Sequence, residues 1–529
     1  MSERARATIR ARLADEVGTL GLGQPADTCL VYPSPYRVGM SSLGFQTLYR
    51  GLWEAGWGCH RAFLPDEWAA EKLPWPPPPE DILSYEAQRP IADYRVLGFS
   101  VAYELEIAGL LRMLAGAGIP VLASQRRERD PIVLGGGPLT DTNASCLLPF
   151  VDVLVCGEAD ALLPQAIQLC AEARDRDDAI AALSRLPHTA VGERTPGQFA
   201  PLPACATAPR ELLPAYSAIT TPHTELADMF LVEPERGCSR RCTFCVMRGA
   251  STGGMRLLPM ERALSVVPQH ARRVGLVGAA VTDHPELEAL VSAIVDAGRG
   301  VGVSSLRADR LTPRLVDALA RGGYRQLTVA SDGISERLRT LLQRKISAAD
   351  LRHAAELVRD HGGLRGLKIY QMVGVPTETD EDVAELVEQI RALSRITRVT
   401  LGISTFVPKR NTPLDGQPFA GVETAAARLQ SIARGLRGAA QMRPQSPKWA
   451  HVEWLIARHG PEGGHAALAA VRAGGSYRAW VDAFAQLGAP TRPWVFGDEA
   501  ALARRRGRAA IARDRLPLAA PDGGGETGP

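Results

Sequence analysis

Between residues 28 and 160, short apolar runs alternate with stretches of helical period. Thr28-Cys29-Leu30-Val31-Tyr32 predicts a strand, followed by a glycine-containing loop and the helical pattern Phe45 to Trp53. Further strands are predicted near Gly58 to Leu64 and at Arg95–Ser100, Pro131–Leu134 and Val151–Val155, with a helix ending near Ala117. WPPPPE at 75–80 reads as a loop, because prolines exclude regular elements. Short strands alternating with helices imply βαβ units and a parallel sheet. Gly135-Gly136-Gly137-Pro138 and Cys156-Gly157-Glu158 close two of these strands. Carboxyl ends of strands are where open α/β sheets bind ligands, although a glycine there also serves simple tight turning.

Residues 161–186 read as helical and 187–226 as a proline-punctuated connector. The α/β rhythm restarts at Met229–Val232 and continues at Val274–Val277, Val301–Ser304, Gln326–Val329, Leu367–Met372 and Val399–Ser404. Helical stretches such as Glu286–Asp296 and Asp380–Leu393 separate them. Six strand–helix units exceed a small open sheet and fit an open, partial barrel of the TIM type. Beyond Pro418 the pattern turns helical and Ala/Arg-rich to about Leu516, and PDGGGETGP has the composition of a disordered tail. The expected division is 1–186, a Rossmann-like α/β domain; 187–228, a linker; 229–415, a partial (β/α)6 barrel; 416–516, a helical region; and 517–529, a tail.

Composition narrows the classes. With 529 residues, 45% apolar and 22% charged, the chain can bury large cores without disulfide staples. A net charge of +3, from 61 basic against 58 acidic side chains, gives no reason to expect a partner held through nucleic-acid phosphates. The start MSERARATIRARL lacks a hydrophobic signal core, and no window reaches the roughly 18 apolar residues that span a bilayer. The expectation is a cytoplasmic protein with no membrane partner.

Six of the nine cysteines are scattered, at Cys29, Cys59, Cys146, Cys156, Cys170 and Cys205, and read as small buried hydrophobes. The other three form C-x3-C-x2-C in Cys238-Ser239-Arg240-Arg241-Cys242-Thr243-Phe244-Cys245, directly after the first barrel strand. Three thiolates on one loop can bind three irons of a cubane cluster, since soft sulfur suits iron–sulfur chemistry. A structural zinc site would want a fourth ligand, and no further Cys or His lies nearby in sequence.

This loop, its placement and Phe244 before the third cysteine resemble the radical S-adenosylmethionine (SAM) superfamily, over about residues 229–415. The resemblance implies a 4Fe-4S cluster on Cys238, Cys242 and Cys245 whose open iron is chelated by SAM. It also implies reductive cleavage of SAM to a 5′-deoxyadenosyl radical, and an electron donor such as flavodoxin or ferredoxin. The other landmarks match unevenly. Val277-Gly278-Ala279-Ala280 stands where relatives carry a glycine- and Glu-bearing motif for the SAM amino group, and the Glu is missing. Arg307 is expected to pair with the SAM carboxylate, or to form a surface ion pair. Ala330-Ser331-Asp332-Gly333 replaces a Glu-Ser-Gly type turn, with Asp332 still able to accept from a ribose hydroxyl or amino group. Gly374-Val375-Pro376-Thr377-Glu378 matches the Gly-x-Pro-x-Glu turn near the adenosine, or is simply a strand-to-helix turn with Thr377 or Thr379 as cap.

An α/β domain ahead of such a barrel resembles the cobalamin-binding arrangement. The text that agrees is Tyr32-Pro33, the loop carrying Gly39, Leu43 and Gly44, the triplet Gly135, Gly136 and Gly137, and the pair Gly157 and Glu158. Backbone amides at glycine turns can approach a phosphate of the nucleotide tail. The D-x-H-x-x-G motif for a lower cobalt ligand is absent, and His60 lies outside any such pattern. A cofactor-free vestigial domain is the alternative. The helical extension, including Val452 to Arg458, resembles that of a subset of these proteins, and Trp449, Trp454 and Trp480 read as packing.

The leading expectation is a cobalamin-dependent radical SAM methyltransferase acting on an unactivated carbon. A methylthiotransferase acting on tRNA or protein is the second; that class needs three more cluster-ligating cysteines in its amino-terminal domain. A redox or cofactor sensor without turnover is the third. The substrate is not legible, because specificity lives in loops.

Overall fold

The computed structural model describes residues 3–69, 74–77, 82–199, 201–247, 254–304 and 306–488. The prolines at 78–79 of the expected loop and the expected tail at 517–529 lie outside them. The chain forms two compact units, one of Met1–Asp228 together with the segment from Leu455, the other of Met229–Trp454.

The first unit is built on β1 (Thr28–Tyr32), β2 (Cys59–Phe63), β3 (Val96–Ser100), β4 (Ile132–Gly136), β5 (Val153–Val155) and β6 (Thr189–Val191), in the order β2-β1-β3-β4-β5-β6. All pairs are parallel except β5 with β6. Every residue of β1 and β2 is buried, as a strand covered by helices on both faces requires. Helix α1 (Leu43–Glu54) starts where the Ser42 side chain accepts the Phe45 N–H at 3.3 Å, and it buries Leu43, Phe45, Tyr49 and Leu52. A charge cluster in this core is compensated: Arg61 lies 2.8 Å from Glu16 and 2.6 Å from Glu86, all three side chains fully buried. Arg126 bonds Asp152 at 3.0 Å, and Arg176 pairs with the same carboxylate.

The expected linker at 187–228 is instead part of this unit. Its β6 extends the sheet, Ala206 bridges to Gly157, and Thr220 bridges to Val17. The helical region expected over 416–516 is likewise not one body. Pro461–Arg472 and Tyr477–Ala485 complete the first unit, where a Cβ on Gly464 would strike the Cys146 carbonyl and Trp480 is 2% exposed. The Asn143 amide donates to the carbonyls of Ile456 (3.2 Å) and Ala457 (3.1 Å), holding the end of the helix Pro447–Arg458. Breaks in the sequence mark where elements end; they do not say which core an element completes.

The second unit carries β7 (Phe230–Val232), β8 (Arg273–Leu276), β9 (Gly300–Val303), β10 (Leu327–Gly333), β11 (Leu367–Val373), β12 (Val399–Thr405) and β13 (Gln441–Pro444). β7, β8 and β9 form one parallel sheet and β10 to β13 another, joined by a parallel bridge from Leu306 to Val329. The partial barrel therefore gains a seventh strand, β13, from the region expected to be helical. Caps delimit its helices: Thr312 with Pro313 begins Pro313–Arg321, and capping boxes of Ser347 with Asp350 and of Thr379 with Asp382 begin Ala348–His361 and Asp380–Ser394.

Candidate functional site

Cys238, Cys242 and Cys245 follow a two-residue strand, Glu235–Arg236, that pairs antiparallel with Arg256–Leu257 at the end of β7. The three cysteines line one cavity with Phe244, Arg240, Ala280, Asp283, Arg307 and Arg344. Burial raises the Cys238 thiol and pushes that of Cys245 up to about 11. Backbone geometry orders the loop: the Arg240 N–H points to Cys238 Sγ at 3.4 Å, and the Cys245 N–H donates to the Cys242 carbonyl at 3.3 Å.

Charges of both signs stand at this cavity. Arg307 is 4% exposed; it bonds Asp309 and the Lys345 carbonyl, and its Nη1 has no hydrogen-bond partner. Asp283 takes Arg240 in a bidentate pair and lies 3.9 Å from Arg307. Burial pushes its carboxyl up, and Arg240 with Arg307 and Arg310 together outweigh that and hold it below the ordinary value. Behind Ala280, the fully buried Glu235 accepts the Ala280 N–H at 2.8 Å through Oε1, while Oε2 has no partner. A Cβ on Gly278 would strike that carboxylate, so Gly278 is the residue that gives Glu235 its room. An unpartnered guanidinium N–H and an unpartnered carboxylate oxygen fit the carboxylate and ammonium of an amino-acid moiety such as that of SAM.

The sequence reading found no acidic residue at Gly278. The structure supplies one from elsewhere in the chain, since Glu235 precedes the first cysteine by three residues. The Glu-Arg-Gly-Cys string was the available signal. Arg344 was also missed: it lines the cavity, lies 2.6 Å from Asp332 and donates to the Ala330 carbonyl at 3.0 Å.

Other expected residues sit less directly. Ser331 and Asp332 belong to β10 rather than to a turn beyond it, at a bulge where the register shifts between Ala330 and Asp332. Asp332 takes φ 62°, and burial raises its carboxyl; the Ser331 hydroxyl is buried with no partner. Gly374 has φ 79° and donates to both oxygens of Glu378, which Arg428 also grips at 2.5 Å. The turn through Pro376 is thus closed on its own glutamate, and Thr379 caps the helix after it.

At the first unit's sheet, the order β2-β1-β3-β4-β5 reverses between β1 and β3, the place at which open sheets bind ligands. Tyr103, 45% exposed, stands in the loop after β3. Gly135 and Gly136 lie within β4, and Gly137 takes φ 102° where a Cβ would come within 2.6 Å of the Val101 carbonyl. The expected glycine loop is a correction: Gly39 ends the four-residue helix Tyr36–Gly39 and Gly44 lies in the first turn of α1. Gly157 and Glu158 are also used internally, the first donating to Thr140 Oγ1 at 3.0 Å and the second accepting from the Ala208 N–H at 2.7 Å. His60 has both ring nitrogens engaged, with the Tyr94 hydroxyl at 2.5 Å and the Gln24 carbonyl at 3.0 Å, so it is no metal ligand.

Comparison with known proteins agrees with this geometry. Residues 44–191 match the family of radical SAM proteins, N-terminal, and residues 232–390 match the radical SAM superfamily. An uncharacterized protein of Methanocaldococcus jannaschii is 32% identical over 196 residues, 36% of this chain and 43% of that one. Ribosomal protein uS12 methylthiotransferase RimO of Acidothermus cellulolyticus is 28% identical over 170 residues, 30% of this chain and 36% of that one. The chain thus matches less than half the length of either curated relative. Among solved structures, the radical SAM methyltransferase TsrM of Kitasatospora setae, with cobalamin and a 4Fe-4S cluster bound, superposes with a TM-score of 0.55 at 14% identity, over 87% of this chain and 98% of that one. That likeness shows the fold. The cysteine loop, the partial barrel that carries it and the two family matches together make this chain a member of the radical SAM superfamily.

Proposed function

We propose that this protein is a cobalamin-dependent radical SAM methyltransferase that methylates an unactivated carbon. The observation that carries the reading is the pairing, in one chain, of the three-cysteine cavity with a β2-β1-β3-β4-β5 sheet whose order reverses beside an exposed loop. The solved TsrM structure, a methyltransferase holding both cobalamin and a cluster, shares this two-part fold. When bound, the cluster supplies the electron that cleaves SAM to a 5′-deoxyadenosyl radical, and the corrin carries the methyl group. The protein's own part is positional. Cys238, Cys242 and Cys245 hold three irons and leave the fourth for SAM. Arg307 and Glu235 take the carboxylate and ammonium, and Phe244 walls the cavity. Asp332, with Ser331 beside it, together with the turn through Gly374 and Pro376, holds the adenosine side. In the first unit, the crevice between the β1 and β3 loops takes the corrin, with Gly39, Gly44 and the Gly135 to Gly137 run along its rim. Gly157 and Glu158 shape the neighbouring turn.

The RimO match favours one second reading, a methylthiotransferase. That chemistry needs three cysteines gathered in the amino-terminal unit. Cys29 and Cys59 lie on neighbouring strands, Cys156 beside Cys205 after β5, Cys146 in the turn after Asn143, and Cys170 on the helix Leu162–Glu172. All six are buried, in four separate places. The test is a growth with hydroxocobalamin, anaerobic purification and reconstitution, then SAM with a reductant such as reduced flavodoxin. Cobalt together with iron, and 5′-deoxyadenosine as product, are expected. Iron without cobalt would overturn the cobalamin part, and a reconstituted cluster without 5′-deoxyadenosine would leave the sensor reading.

A further inference from the structure

The interior of a TIM-type barrel is normally packed with branched apolar side chains. In this partial barrel an apolar side chain covers the first half. Met229 lies over Gly275 and Gly302, its Sδ and Cε within 2.8 Å of where a Cβ on Gly302 would stand.

The second half differs. On β11, Leu367, Ile369, Gln371 and Val373 are buried, whereas Lys368, Tyr370 and Met372 are not, so the strand separates a helix-covered face from an open one. The open face is polar. Tyr370 is 45% exposed, Lys368 Nζ donates to its hydroxyl at 2.8 Å, and the same ammonium lies 4.5 Å from its ring centroid. The ring lies over Gly402 on β12, where a Cβ would come within 2.7 Å of ring carbons. Gly402 therefore leaves the ring room against the sheet, and Tyr370 keeps nearly half of its surface exposed. Arg443 on β13 is in register with Gly402, which puts a second cation on the same row. On the other side of Tyr370 the register partner is Ala330, whose carbonyl binds Arg344, a wall residue of the cysteine cavity.

We propose that this row is the substrate platform, and that the substrate is a flat, unsaturated ring bearing an anionic group. The ring stacks on Tyr370, and the anion is taken by Lys368 with Arg443 beside it. This rests on the proposed function for its meaning as a substrate site, and it is tested separately from it.

The experiment titrates the reconstituted full-length protein with 2-naphthoate and with its neutral isostere 2-naphthalenemethanol, by calorimetry. Naphthoate is expected to bind. Tyr370→Ala, Lys368→Met and Gly402→Ala each weaken it about tenfold, and Tyr370→Phe restores most of the affinity. The neutral alcohol binds more weakly than naphthoate, and Lys368→Met leaves its affinity unchanged. A shared thermal midpoint between Tyr370→Phe and Tyr370→Ala shows that loss of binding is not loss of fold. Naphthoate that fails to bind the wild-type protein, or that binds all variants equally, overturns the platform. Wild-type protein that binds naphthoate in this pattern yet forms no 5′-deoxyadenosine overturns the proposed function and leaves the platform standing.

Discussion

Arg344 Nε lies 2.6 Å from Asp332 Oδ2, and the same guanidinium donates to the Ala330 carbonyl at 3.0 Å. A residue that follows the helix Glu336–Leu341 thereby clasps both sides of the β10 bulge, where Asp332 is held at φ 62° beside the cysteine cavity. A left-handed aspartate in a strand persists only where its surroundings over-determine it. Arg344→Met should therefore lower the unfolding midpoint, by a loss of about 3 kcal/mol as for breaking one partner of a largely buried pair. The double variant Arg344→Met with Asp332→Asn should recover part of that loss. Denaturant melts of the four proteins measure the coupling, and additive effects would show that the clasp is not cooperative.

Glu235 offers a pH signature. Burial pushes its carboxyl from the ordinary 4.5 up to about 8. Between those values the folded protein keeps a proton that the unfolded chain has released, so stability falls as pH rises through this window and is flat above it. Glu235→Gln should flatten the slope, which thermal midpoints taken from pH 5 to about pH 9 would reveal. An unchanged slope in the variant would assign the effect to another group.

Replacing any one of Cys238, Cys242 or Cys245 by Ala should remove the iron–sulfur absorbance together with SAM cleavage, because a cubane cluster held by two thiolates is not retained. Iron analysis and a 5′-deoxyadenosine assay measure the two losses, and cleavage surviving in any of the three variants would refute the ligand set.

Gly137→Ala should destabilise the first unit by about 1–3 kcal/mol, the range for a side chain forced into a strained backbone. Its φ of 102° and the Val101 carbonyl within 2.6 Å both oppose a Cβ. Gly136→Ala, whose nearest neighbour would be the Val155 carbonyl at 3.2 Å, should cost less. Comparing the two midpoints separates the backbone requirement from mere crowding.

Ending the chain after Trp454 should destabilise the first unit rather than the barrel. The removed segment carries the helices Pro461–Arg472 and Tyr477–Ala485 and the carbonyls that Asn143 grips. Limited proteolysis of the truncated protein should then cut within residues 1–228 first, and cutting within the barrel first would contradict the division.

Much of the architecture was legible because it rests on local rules. All five parallel strands of the first sheet and the first six of the barrel fall within a few residues of the runs that predict them, since the helix-covered face of each strand must be largely apolar. The helix cap at Thr379 is equally local. β13 was not legible: Gln-Met-Arg-Pro is a polar string that becomes a strand only because β12 offers an open edge. The glycines divide the same way. Gly137 and Gly374 do take positive φ, but Gly44 lies in a helix, and a sequence shows only that glycine is permitted, not what conformation uses it.

The sequence by itself determined the family, because three cysteines within eight residues stay on one loop whatever surrounds it. It also determined the order of strands and helices, through hydrophobic period. Only the tertiary structure decided which distant groups stand around those thiols: Ala280 against Glu235, Arg307 beside Asp283, Arg344 across the bulge. It alone put Tyr370 over Gly402 and sent the last helices back to the first unit. The physical reason is that chemistry carried by neighbours in sequence survives any fold. Contacts between remote residues depend on strand register and on which core each helix completes, and neither is written in local composition.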